Sequence, residues 1–84
     1  MNEVRWSNKA RKQLKKIPVN FRKLITDATG SLVFFPNCSN VKVLNSHRYG
    51  YRLRVGRYRV FFDHEDEIKI ISIEEVKKRD ERTY

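Results

Sequence analysis

Cysteine, proline and glycine are all scarce: one, two and three residues respectively in a chain of 84. A lone thiol, Cys38, forms no internal disulfide and has no neighbouring ligands for a zinc site, which fits a reducing compartment. With so few chain breakers, there is no linker or low-complexity tract, and residues 1–84 read as one domain. No apolar run approaches the roughly 18 residues of a membrane helix. The opening MNEVRWSNKARKQLKK lacks a signal peptide's apolar stretch, so a cytoplasmic protein without membrane contact is expected. The most informative scarcity is acid. From Val4 to Phe62 there are fourteen Lys and Arg against a single acid, Asp27, while eight of the ten acids lie from Asp63 onward. The formal charge of +9 is thus concentrated in the first three quarters of the chain. That asymmetry points to a polyanionic partner, nucleic acid first.

The remaining pattern gives an α+β order. EVRW alternates, with Val4 and Trp6 on one face, and predicts a first strand. Ser7 is placed to cap a helix carrying Ala10, Leu14 and Ile17 on a narrow apolar stripe, and Pro18 ends it. A second helix is expected from about Val19 into the low thirties, with Phe21, Leu24, Ile25, Ala28 and Leu32 at helical spacing. Its end is ambiguous, because Gly30 weakens it and SLVFF has strand propensity. Phe21, Phe34, Phe35 and Trp6 are expected in the core. PNCSN reads as a loop and NVKVL as a short strand. Further strands follow, ending in EIKIISIEEV, whose alternation changes phase between Ile70 and Ile71 and so predicts an interior strand. The run DHEDE at 63–67 reads as a charged turn rather than a metal site, and no cofactor or metal is expected. The expected architecture is a small antiparallel β-sheet with two N-terminal α-helices packed on one face.

The stretch YGYRLRVGRYRVFF (49–62) carries the most specific signal. Gly56-Arg57 fits a type II′ turn, which wants glycine at its first central position. The resulting register pairs Val55 with Tyr58, Arg54 with Arg59, Leu53 with Val60, Arg52 with Phe61 and Tyr51 with Phe62. One face is then apolar, and the other carries Arg52, Arg54 and Arg59. Directly opposed arginines cost a few tenths to about one kcal/mol, a cost that an anion bound between them would offset. Arginine's planar fork matches phosphate oxygens. The alternative reading is three solvated guanidiniums splayed over an exposed sheet.

The element order, the stretch LNSHRYGYRLRVGRYRVFF and the tail KKRDERTY together resemble the RelE/ParE superfamily of toxins from bacterial toxin–antitoxin modules, over nearly the whole chain. A RelE-like resemblance implies a ribosome-dependent, metal-independent endoribonuclease that cuts mRNA in the ribosomal A site. There the 2′-hydroxyl attacks the adjacent phosphate and leaves a 2′,3′-cyclic phosphate, inhibiting translation. It implies catalytic positions at Arg52, Arg54 and Arg59, with Lys78 or Arg79 and Tyr84 completing the site. Arg59 is the expected stabiliser of the phosphorane. Lys42, His47, Arg48, Arg57, Lys77 and Arg82 are the expected RNA contacts around them, and Lys9, Arg11, Lys12, Lys15 and Lys16 form either a solvated face or a surface against ribosomal RNA. The implied partners are the ribosome, mRNA and a cognate antitoxin that lays an amphipathic segment over the helices or sheet. The chain departs from the RelE pattern in carrying arginines where lysines are usual, and arginine hardly deprotonates. His47 is then a substitute base, or simply a loop histidine. A ParE-like inhibitor of DNA gyrase, which cleaves nothing, is the alternative from another functional class.

Overall fold

The computed structural model describes residues 1–79. Its elements are β1 (Glu3–Trp6), α1 (Asn8–Lys15), α2 (Val19–Gly30), a 3-10 turn (Ser31–Phe34), β2 (Val41–Val43), β3 (Tyr51–Val55), β4 (Tyr58–Glu65) and β5 (Ile70–Lys78). The strands form one sheet in the order β1-β5-β4-β3-β2. The second helix stops at Gly30, and SLVF tightens into the 3-10 turn instead of extending the helix or forming a strand.

Four of the strands pair antiparallel, but β1 runs parallel to β5, with Glu3 opposite Ile70 and Trp6 opposite Ile73. The sheet is thus mostly antiparallel, as the sequence predicts, and β1, whose direction the sequence pattern leaves open, is its one parallel member. The parallel pair is accommodated because nearly the whole domain serves as its crossover.

Past the end of β1, helix α1 takes over the exposed edge of β5. The Ser7 hydroxyl donates to the Glu74 carbonyl at 3.2 Å and accepts the Ala10 N–H at 3.0 Å as the helix cap. The Gln13 side-chain carbonyl accepts the Val76 N–H at 2.7 Å. Two side chains thus satisfy backbone groups that would otherwise present an open edge. At the other end of α1, the Arg22 guanidinium donates to the Ile17 carbonyl at 3.0 Å and the Lys15 carbonyl at 3.3 Å, tying α2 to the orphan carbonyls of α1.

The core lies between the helices and one face of the sheet. Ala10, Ile17, Ile25 and Leu32 meet Leu53, Val60, Phe62, Ile71, Ile73 and Val76, all buried. Phe35 stands edge-on to Tyr51 and Phe62, with centroids 4.9 and 5.5 Å away. The expected aromatic core is only partly realised. Leu24 and Phe34 are 58% and 57% exposed and Phe21 37%, because a single sheet face this small covers only one side of α2 and of the 3-10 turn that follows it. Phe21 still reaches Tyr58 at 5.8 Å.

The phase change in the last strand falls later than its sequence indicates. A bulge at Glu74 shifts the register, so Ile73 lies opposite Phe62 but Glu75 lies opposite Phe61. Ile71 and Ile73 face the core before it and Val76 after it. DHEDE is a turn only in its second part: β4 runs through Glu65, with the Asp63 carboxylate accepting the Gly50 N–H at 2.7 Å and His64 packed edge-on to Phe35, and the turn begins at Asp66.

Candidate nucleic-acid interface

The β3–β4 hairpin has the register predicted from its sequence, residue for residue from Tyr51↔Phe62 to Val55↔Tyr58. Gly56 has φ +57° and Arg57 keeps a negative φ, as a type II′ turn requires. Because alternate residues face opposite ways, this register fixes which side chains share the face turned away from the helices. Across the sheet, Arg54, Arg59 and Lys77 form one row; Lys42, Arg52, Phe61 and Glu75 form the next.

At the hairpin end, Arg52, Arg54, Arg59 and Arg79 line a single cavity of about 90 Å³ together with Gly56 and Tyr58. Among the described residues, no carboxylate lines it. The Arg52 Nε is buried and has no hydrogen-bond partner among the described residues. A buried cationic donor without an acceptor is costly, and an anion in the cavity would relieve it. The Arg79 N–H donates to the Arg57 carbonyl, which holds the last strand against the turn.

The structure therefore brings together Arg52, Arg54, Arg59 and Arg79 of the residues singled out from sequence. Lys78 is separated from them: it pairs with Tyr58, whose side chain belongs to the core face, so it emerges on the opposite side from Lys77 and Arg79. The bulge at Glu74 sets that parity. Arg82 and Tyr84 lie outside the described residues.

Beside the cavity sits a second cluster that the sequence reading did not assemble. The loop between β2 and β3 folds over the arginine face and stacks the His47 ring on Phe61, with centroids 5.2 Å apart and planes at 12°. Tyr49 packs against the same phenyl ring at 5.8 Å, and the Arg48 guanidinium lies 5.5 Å over the Tyr49 ring. Beneath them, Glu75 is 8% exposed and ion-pairs with Lys77 at 3.6 Å and Lys9 at 3.5 Å. Partial burial raises the Tyr49 hydroxyl above its ordinary pKa, and the Glu75 carboxylate reinforces this against the opposing effect of Arg48. The phenol thus stays protonated near neutral pH.

His47 Nδ1 accepts the Tyr49 N–H at 3.0 Å. In the neutral ring this leaves the proton on Nε2, a donor, which makes His47 poorly set up as a general base. A signal for this cluster was present in the sequence, since the register already places Phe61 among arginines, where a phenyl ring must be covered by something.

Comparison with known proteins agrees with this architecture. Residues 4–83 match the family described as the ParE toxin of type II toxin–antitoxin system, parDE. No curated protein matches the chain. Among solved structures, the toxin–antitoxin complex RelBE2 from Mycobacterium tuberculosis is 26% identical, with a TM-score of 0.79, covering 93% of this chain and 98% of that one. The archaeal RelE–RelB complex from Pyrococcus horikoshii is 24% identical, with a TM-score of 0.81 and 98% of both chains covered. The isolated Escherichia coli RelE toxin shares the fold at 16% identity, with a TM-score of 0.80, over 95% of this chain and 86% of its own. A sheet with two N-terminal helices, an arginine-lined hairpin and a family match across almost the entire sequence lead to one assignment: the chain belongs to the ParE toxin family within the RelE/ParE superfamily and is a toxin of a type II toxin–antitoxin system.

Proposed function

We propose that this toxin is a metal-independent endoribonuclease of RelE type that cleaves mRNA on the ribosome and is neutralised by a cognate antitoxin. The observation that carries this reading is the convergence of Arg52, Arg54, Arg59 and Arg79 on one cavity that no carboxylate lines among the described residues. Cleavage by 2′-hydroxyl attack breaks the bond from phosphorus to the 5′-oxygen and passes through a phosphorane with added negative charge. Fixed guanidiniums stabilise that charge without reorganising at the moment of reaction. Arg59, central in its row between Arg54 and Lys77, is placed to contact the phosphorane, while Arg52 and Arg54 hold the ground-state phosphate. None of the arginines is a usable base, and His47 presents a donor. Catalysis then rests on positioning and charge stabilisation, with the ribosome orienting the 2′-hydroxyl for in-line attack.

Primer extension on mRNA after induction tests this. The wild-type toxin is expected to give codon-positioned cuts that vanish in Arg59→Ala. The second reading, inhibition of DNA gyrase, draws on the family match, which is to ParE toxins. Toxicity with double-strand DNA breaks and no mRNA cuts would replace the first reading with the second.

A further inference from the structure

The cluster next to the arginine cavity has features that a mere loop anchor does not need. Phe61 lies on the face turned away from the helices, yet it is only 7% exposed, and His47 and Tyr49 stack on it. The outermost ring, His47, is itself exposed. The loop that carries it is pinned at three points: the Leu44 N–H bonds the Gly50 carbonyl at 2.9 Å, the Gly50 N–H bonds Asp63 at 2.7 Å, and the Tyr49 N–H bonds the His47 ring at 3.0 Å. An exposed aromatic plane is thus held flat and preorganised, so a group stacking on it meets little further ordering cost.

Its surroundings are cationic. Arg52 is the cross-strand neighbour of Phe61, Arg48 lies over Tyr49, and the nearby carboxylate of Glu75 is already paired with two lysines. Arg59 is two residues from Phe61 along β4, roughly 7 Å away at strand rise. That separation is within the reach of one nucleotide from its phosphate to its base. An aromatic plane beside a phosphate-sized cationic cavity is the combination by which single-stranded nucleic acid is held without sequence readout.

We propose that His47 and Tyr49, stacked on Phe61, form a base-stacking subsite for the nucleotide next to the phosphate bound in the arginine cavity. The proposal rests on the reading of that cavity as an RNA phosphate site, and it places a stacking platform apart from Tyr84. Beneath the platform, Glu75 is paired with Lys9 and Lys77, so its carboxylate is already balanced where the base would stack.

The test uses a non-cleavable 2′-O-methyl hexaribonucleotide carrying one 2-aminopurine, with a fully abasic hexamer as control, titrated into the purified toxin. Wild type is expected to quench the 2-aminopurine and to bind the base-bearing hexamer about tenfold or more tightly than the abasic one. His47→Ala combined with Tyr49→Ala should abolish both the quenching and the preference, while leaving abasic affinity and its salt dependence in place. His47→Phe should retain the quenching, because a phenyl ring offers the same plane. Arg59→Ala should instead weaken both hexamers and lower the salt slope. Equal binding of the two hexamers by wild type, or undiminished quenching in the double variant, would overturn the subsite. Loss of mRNA cuts in the primer-extension experiment, with the hexamer results intact, would overturn the cleavage reading alone.

Discussion

The two faces of the sheet at the β3–β4 hairpin alternate along the same strands, yet they obey opposite rules. On one face Leu53, Tyr58, Val60 and Phe62 are buried against the helices, each side chain filling space left by another. On the other, Arg54, Arg59 and Lys77 stand side by side, and Arg52 keeps a buried Nε without a partner among the described residues. The first face has the arrangement that stability favours. The second opposes stability, since like charges across a strand pair repel by up to about 1 kcal/mol. The difference is the one expected if the arginine face serves the bound phosphate proposed above and the apolar face serves the fold, since among the described residues no acceptor meets the Arg52 Nε.

If the faces divide labour in this way, substitutions should separate stability from activity. Phe62→Ala, on the apolar face, is expected to cost about 3–5 kcal/mol in urea unfolding, enough to abolish activity by unfolding the toxin. Arg59→Ala should lower single-turnover mRNA cleavage by roughly a hundredfold or more, with the urea midpoint unchanged or raised. A large loss of stability in that variant would break the comparison. Gln13→Leu removes the acceptor of the Val76 N–H and should destabilise by about 1–3 kcal/mol, moving the urea midpoint without changing m. Ser7→Ala deletes the α1 cap and should cost around 1 kcal/mol by the same measure. The smallest effect sharpens the contrast most. Arg54→Thr should raise stability by a few tenths to about one kcal/mol at low salt, with the gain shrinking as salt screens the pair.

What could be read in the sequence was local. Gly56 with a two-residue loop, and strict alternation on either side of it, sufficed for the whole hairpin register and hence for Arg52, Arg54 and Arg59 on one face. Ser7 was legible as a cap because its bond spans three residues. What escaped depended on partners distant in the chain. The parallel pairing of β1 is fixed by contacts with β5, and no local pattern records strand direction. Lys78 and Arg79 could not be told apart, because their parity depends on a bulge at Glu74 that only pairing with β4 creates. The exposed Leu24 and Phe34 follow from how little sheet is available to cover them, which helical periodicity does not reveal. The stack of His47 on Phe61 joins residues fourteen apart through a loop whose path is set by hydrogen bonds to Gly50 and Asp63.

The pairing of β1 with β5 also bears on how the molecule comes into being. β1 precedes the helices and the other strands in the element order, and its pairing partner begins only at Ile70. At a synthesis rate of roughly 5–20 residues per second, β1 waits for several seconds before a mate exists. The same strand delivers Lys77, and Arg79 follows immediately after it, so the cationic cavity needs β5 as well as the hairpin. A chain made only as far as the hairpin lacks both the strand that joins β1 to the sheet and the Arg79 side chain. The cavity and the pairing of β1 therefore depend on the same element, and a change that disturbs β5 disturbs both.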